Sequence, residues 1–414
     1  MFVSLMSEPA AVVLLALAAL ASLLITIVAQ VCVHWQLRRA SGGGHHAPPI
    51  SVLKPLKGID DHLEENLASF AGQDYPGEFE LVFGATDSAD PAMEVVGRLQ
   101  RRFPNLAIKT VWGRPRPGVN PKVANLRSLT EAASHELILV SDSNVRVEPS
   151  YLRDIVANMK EPDVGLVTNV LCGSGEESFG AMLENLHLNS FVVAGVCGAT
   201  VLAGHTCVIG KSMLMRRTQL EQLGGWSLVA DVLGEDYLLG RVYERAGYRV
   251  VLSSHVVRTI NTGWGVRRFA SRHLRWSQMR RWIAPSAYAL EPMLNPIPWS
   301  LALLAVGASR EGATTWIPLA LLAILAKLSS DVLVFRRLRG QWPTAVAVSC
   351  IPIKDVLVLL LWGIGWVWRR VDWRGNAFLI GRGSSIRPVH TSDSALEPWE
   401  HAEVCAPGEP TGLS

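Results

Sequence analysis

Residues 10–33 run for about two dozen positions without a charged side chain, enough for one helix to cross the ~30 Å hydrocarbon core of a bilayer. A cleaved signal peptide would carry a basic leader, a shorter apolar core and a small-residue cleavage site. Here Glu8 precedes the run and Arg38 and Arg39 follow it. That asymmetry makes the segment an anchor, with the N-terminus outside and the following domain in the cytoplasm. The chain is 49% hydrophobic over 414 residues, and the excess lies at its two ends. Residues 314–335 and 345–368 are further spanning segments by composition, whereas 299–308 is short enough to be re-entrant or interfacial. Lys327, Asp331, Lys354 and Asp355 lie within these runs, where charge is costly and faces a protein interior; pairing with one another is the leading expectation. Basic segments at 336–339 and 369–370 flank one of the runs at opposite ends. The positive-inside rule cannot place both on one side of a single span.

Composition removes several classes of function. A net charge of +3 gives no electrostatic footprint for nucleic acid. The six cysteines (Cys32, Cys172, Cys197, Cys207, Cys350, Cys405) are scattered without a C-x-x-C pair, which fits reduced thiols rather than a disulfide or zinc framework. The organisation read from the sequence is an anchor over 1–36 and a linker over 37–47. A catalytic domain follows over 48–282, then a membrane region over 283–372 and a tail over 373–414. The linker holds Ser41-Gly42-Gly43-Gly44-His45-His46, a flexible composition in which the histidines are solvated.

Within the middle domain, β-rich runs at 50–53, 79–84, 107–111 and 137–140 alternate with helical patterns at 61–72, 91–103 and 121–133. This predicts an α/β domain on a parallel sheet, whose ligands bind beyond the carboxyl ends of the strands. Asp87 and Asp142 lie at two of those ends. Asp142 with Asn144 offers two oxygen donors to a divalent cation, magnesium or manganese, though Asp-Ser-Asn equally suits a turn. Asn120-Pro121-Lys122-Val123-Ala124-Asn125 opens a helix, where free N–H groups and Lys122 favour an anion; a solvated helix start is the alternative. Asp236, in Glu235-Asp236-Tyr237, either caps a helix or accepts the proton of an attacking alcohol. In the basic stretch that follows, helical spacing puts Arg268, Arg272 and Arg275 on one face, with Trp276 beside Arg272. Such a face could hold a leaving diphosphate or rest on the membrane surface, and both uses are compatible.

Taken in order, these motifs resemble the ceramide glucosyltransferase family and its bacterial relatives, including the branch that glycosylates hopanoid lipids. The resemblance runs from about residue 51 to 284. It rests on Leu53-Lys54-Pro55-Leu56-Lys57-Gly58-Ile59-Asp60, on Asp87 ahead of Asp90-Pro91, and on Asn120 to Asn125. It continues with Asp142 to Val147, Glu235-Asp236-Tyr237, and Arg272 to Trp276. It implies a nucleotide-sugar (GT-A type) glycosyltransferase domain between transmembrane helices. Lys57, Asp87, Lys122, Asn125 and Asp142 would bind the nucleotide sugar, and Asp142 with Asn144 its metal. Asp236 would be the base, and Arg272, Arg275 and Trp276 would close over the diphosphate and acceptor. The family lacks a strict D-x-D, as this chain does at Asn144. Arg272 stands where processive synthases usually carry Gln, which favours a single transfer.

The function implied is inverting transfer of one sugar from a nucleotide sugar, a UDP-sugar in this family, to a hydroxyl of a ceramide-like or hopanoid membrane lipid. The enzyme would be integral to the membrane, the inner membrane in a bacterium, with its catalytic domain cytoplasmic. The alternatives are a processive polysaccharide synthase, which would need more spanning helices, and an inactive lipid-binding scaffold, which would be expected to lose one of the motif residues. No sequence feature bears on oligomeric state.

Overall fold

The computed structural model describes residues 8–39, 47–113, 117–309, 313–373 and 375–389. The catalytic region is built on eight strands: β1 Ile50–Pro55, β2 Phe79–Ala85, β3 Ala107–Trp112, β4 Leu137–Val140, β5 Val145–Arg146, β6 Val164–Ser174, β7 Met213–Arg216 and β8 Arg249–Ile260. Their order is β3-β2-β1-β4-β7-β6-β8-β5. The first four strands are parallel, as expected. The second half corrects the expectation of a purely parallel sheet, because β7 runs antiparallel to both β4 and β6. Helices Leu63–Ala71, Ala92–Arg102 and Pro121–Ala132 occupy the intervals between β1 and β4.

Side chains alternate across this sheet with the period of two that a pleated strand imposes. Val52, Leu81 and Leu139 point into one core, which also contains Leu67, Val96 and Tyr151. Leu53, Val82 and Val140 point into the other, with Leu126, Leu129 and Leu239. Both faces are therefore covered by helices. The reactive edge is left to the strand ends.

Among the described residues, four helices are long and apolar enough to cross a membrane: Ala10–Gln36, Phe179–Ala203, Ala313–Arg339 and Ala345–Val367. The second went unread in the sequence, because Glu184, Asn185, His187 and Asn189 interrupt its apolar run. A short π-helical turn at Leu188–Val192 joins its two halves. It packs closely on the N-terminal helix: a Cβ at Gly198 would lie 3.5 Å from the Ala29 side chain. The intramembrane charges do pair. Lys327 bonds Asp331 and lies 3.6 Å from Asp355, which Lys354 meets at 2.6 Å.

Both basic segments are fastened by packing. Arg339 donates to Gly173 O at 2.9 Å and pairs with Glu176 at 3.0 Å. Beyond the other end of Ala345–Val367, Gln278 donates to Trp368 O and Arg370 O at 2.9 and 3.0 Å. Between these fastenings the helix lies along Val266–Ile283: a Cβ at Gly365 would meet the Ser277 side chain at 3.0 Å. Both basic segments thus meet the catalytic domain.

Beyond Ala345–Val367 lies a small antiparallel sheet of β9 Arg370–Trp373, β10 Asn376–Ile380 and β11 Ile386–Pro388. Val371, Phe378, Ile380 and Ile386 pack on Leu233. Ile386 N donates to Asp231 O at 2.8 Å, and Leu233 N to Ser384 O at 2.9 Å. This sheet braces the segment that leads into Glu235 and Asp236. Cys32, Cys172, Cys197, Cys207 and Cys350 are free thiols. Cys405 and the linker histidines lie outside the described residues.

Candidate active site

Asp142 follows β4, at the carboxyl end of the parallel half of the sheet. Lys122 Nζ lies 3.0 Å from Asp142 Oδ1 and 2.9 Å from Glu235 Oε1. Lys211 Nζ lies 2.9 Å from Asp142 Oδ2 and donates to Asn144 Oδ1 at 2.6 Å. From beneath, Lys54 Nζ donates to the Asp142 carbonyl at 3.0 Å and to Ser141 Oγ at 3.1 Å. Burial works against the charge on Asp142, but Lys122 and Lys211 override it and hold the carboxyl far below its ordinary value. Burial likewise opposes the charge on Lys122, and Asp142, Glu235 and Asp236 together raise its pKa. For Lys211 burial wins and the pKa falls despite Asp142.

Asp236 opens the helix Glu235–Arg245. Its Oδ2 accepts from Gly210 N at 2.7 Å and its Oδ1 from Tyr237 N at 2.8 Å. Burial, then the neighbouring Glu235 charge, raise its pKa to about 6, with Lys122 pulling the other way. Gly210 is needed for this approach: a Cβ there would sit 2.8 Å from Lys122 Nζ and 3.2 Å from Asp236 Oδ2.

The Arg-Trp motif lies on the helix Val266–Ile283. The Arg272 guanidinium stands 4.6 Å from the Trp276 ring centre and 5.2 Å from that of Trp264, and lies 3.3 Å from the buried Glu184. Arg268 stands 4.1 Å from Trp264, so the shared face expected for these arginines is present for this pair. His273 Nε2 bonds Glu184 at 2.7 Å, and burial lowers the His273 pKa in spite of that carboxylate. Trp264 is itself held through its indole N–H, which donates to Asp61 Oδ2 at 3.1 Å. Arg275 is half-buried on the same helix.

Several expectations change in detail. The start of helix Pro121–Ala132 does not offer its first N–H groups to an anion. Asn120 Oδ1 accepts from Lys122 N at 2.9 Å and Val123 N at 3.3 Å, as an N-cap does. Asn125 is buried and donates to Gly84 O at 2.8 Å, so it braces the end of β2. Asp87 is exposed beyond β2, and Lys57 is exposed on a loop whose Gly58 N–H donates to Asp90 at 2.9 Å.

The expected cation pair is already occupied. Asp142 and Asn144 do converge, but on the Lys211 ammonium, and the other Asp142 oxygen is taken by Lys122. A hard cation needs several oxygen donors free of competing charge. This donor set, one carboxylate and one amide already held by two ammoniums, does not fit one as folded. Among the described residues no cluster of three or more Asp, Glu, His or Cys could hold a metal.

Glu184 and Lys211 were missed in the sequence, and Lys54 and Glu235 stood within its motifs without a role of their own. Lys54 had a signal, being the one charge in a strand buried on both faces. Glu184 was hidden in an apolar run. Lys211, in Ile209-Gly210-Lys211-Ser212, has no periodicity to mark it.

Comparison with known proteins places this centre in context. The chain is 28% identical over 354 residues to ceramide glucosyltransferase 3 of Caenorhabditis elegans, covering 82% of this chain and 74% of that protein. It is 28% identical over 271 residues to ceramide glucosyltransferase 1 of the same organism, covering 64% of this chain and 56% of that one. Among solved structures, a mannosyltransferase from Pyrobaculum calidifontis in complex with GDP-Man and Mn2+ aligns over 84% of this chain and 98% of its own, at 17% identity and a TM-score of 0.47. The pattern of glycosyl transferase family 21 matches residues 14–386, taking in the anchor, the Asp142 cluster and the small C-terminal sheet. The chain therefore belongs to glycosyl transferase family 21 and is a hexosyltransferase.

Proposed function

We propose that this enzyme transfers a single sugar, with inversion, from a UDP-sugar to a hydroxyl of a membrane lipid. The observation that carries the reading is Lys122, whose ammonium joins Asp142 at the end of β4 to Glu235, the neighbour of Asp236. Three motifs from distant parts of the chain thereby meet at one point. The donor lies along the strand ends, with Lys57 and Asp87 at its nucleotide and Lys122 and Asp142 at its sugar diphosphate; Asn125 acts through the strand end it braces. The acceptor oxygen attacks the anomeric carbon from the face opposite the diphosphate. As that C–O bond forms, the bond from the anomeric carbon to the phosphate oxygen breaks. The acceptor proton passes to Asp236, and the bonding electrons leave with the diphosphate. Arg272 and Arg275 offset charge growing on the leaving group, and Trp276 keeps Arg272 in plane.

A lipid acceptor is supported by the helix Val266–Ile283, which bears the Arg-Trp motif on one side and packs along the apolar Ala345–Val367 on the other. An amphiphile could reach Asp236 from the bilayer without passing through water. The charge asymmetry around the anchor supports a cytoplasmic catalytic domain. Incubating the purified enzyme with UDP-glucose and extracted membrane lipids, then analysing by mass spectrometry, tests the reading. One added hexose on a lipid is expected. A ladder of hexoses would mean a processive synthase, and no lipid product with any of a panel of nucleotide sugars would remove the proposal.

A further inference from the structure

Lys211 is the residue for which the site as read so far has no use. It is 9% exposed, and its ammonium sits between the two oxygens, Asp142 Oδ2 and Asn144 Oδ1, that would otherwise be offered to a divalent cation. A metal ion and an ammonium compete for the same lone pairs. Metal binding there would have to evict Lys211 into a surrounding that already contains Lys122 and Arg272, both of whose charges act on it unfavourably. The Asp142 side chain meanwhile remains a quarter exposed, so the pair is not sealed from solvent.

We propose that Lys211 takes the place of the divalent cation, binding the donor diphosphate and neutralising it as it leaves. This rests on the reading of the site as a diphosphate site and deepens it. A buried ammonium held by one carboxylate and one amide can be shared with, or passed to, a phosphate oxygen without a change of protonation. Asp142 and Asn144 then act as the cradle that aims it. Lys122, bridging Asp142 to Glu235, keeps that cradle fixed while Lys211 moves. The sequence departs from D-x-D at Asn144 for a reason this arrangement supplies: a second carboxylate there would hold Lys211 too tightly to release it to the donor.

The test uses the full-length enzyme in detergent with two readouts. Binding of Mn2+ alone is followed by electron paramagnetic resonance, and turnover of UDP-glucose is measured in excess chelator. The wild type is expected to bind no stoichiometric Mn2+ and to keep its turnover in chelator. Lys211→Met keeps an unbranched side chain one atom shorter, without the charge, and vacates the two oxygens. It should lose about 10²-fold in turnover in chelator, the usual cost of removing one donor to a developing anion. It should also gain a Mn2+ site and recover part of the loss when Mn2+ is added. Stoichiometric Mn2+ binding by the wild type, or turnover abolished by chelator and restored by Mn2+, would overturn the proposal whether or not the variant folds. So would undiminished turnover of Lys211→Met in chelator. Failure of the wild type to bind UDP under any condition would instead strike at the reading of the site itself.

Discussion

Lys122 and Glu235 form a 2.9 Å ion pair between the first turns of two helices, Pro121–Ala132 and Glu235–Arg245, which cover the same face of the sheet from its two halves. The same ammonium holds Asp142, so one lysine sets the distance between the donor end of the site and the proposed base. Buried charge of this kind is costly unless every partner stays in place. Predictions about the site are therefore predictions about geometry as much as charge.

Asp236→Asn keeps the shape and can accept one of the two backbone hydrogen bonds, from Gly210 N or Tyr237 N, but cannot take a proton. Turnover is expected to fall about 10²–10⁴-fold, the usual contribution of a general base. UDP affinity, measured calorimetrically, should change little. Retention of more than about a tenth of wild-type turnover, well above that range, would remove Asp236 from the role.

The pH profile offers a second check. Asp236 serves as a base only when ionised, and its pKa is raised from 3.8 to about 6 by burial and by Glu235. Turnover should be full above that value and decline as pH falls through it, about tenfold per unit further down. Glu235→Gln removes the like charge, so the decline should move to lower pH. A wild-type profile flat down to pH 5 would contradict the assignment.

Gly210→Ala places a methyl group where Lys122 Nζ and Asp236 Oδ2 now converge. The nearer atom is the tip of a flexible side chain, so the fold should survive with little change in melting temperature. The ammonium bridge would shift, and turnover should drop at least ~10-fold, since small displacements of positioned groups are costly in rate. An alanine variant with normal turnover would show that the convergence is not needed.

Glu184 neutralises Arg272 from the buried side and bonds His273 as well. Replacing it by Leu strands a buried guanidinium, and breaking such a pair costs about 3–5 kcal/mol. The melting temperature should fall sharply. Arg272→Lys keeps the charge but loses the planar fork and the stacking on Trp264 and Trp276, so turnover should collapse with donor affinity less affected. Arg267→Lys, at an exposed position on the same helix, is the control and should be tolerated. Equal turnover for the two lysine variants would reduce the helix to a membrane-surface element. Arg280 would not serve as a control, because it is paired with Glu291 at 3.1 Å.

Much of this molecule was legible in its sequence because the signals were local. The anchor needs only a length of apolar residues, and the strands β1 to β4 with their intervening helices follow from periodicity and turn residues. Asp142 and Asp236 were singled out because strand ends and helix starts are where such sheets place chemistry. What the sequence could not determine was whatever depends on which charges become neighbours after folding. Lys211 is unremarkable in Ile209-Gly210-Lys211-Ser212, yet it occupies the place assigned to a cation. Glu184 interrupts an apolar helix, and only packing against Arg272 and His273 explains why that interruption is tolerated. The reversal of β7 and the C-terminal sheet braced on Leu233 depend on contacts between segments far apart in the chain. The orientation of Ala345–Val367 shows the division most plainly. Composition marks it as long and apolar enough to span a bilayer. Its hydrogen-bonded ends and its contact with Val266–Ile283, both tertiary, bring its two basic flanks to the catalytic domain, because hydropathy records what a helix can face and not which neighbour it meets.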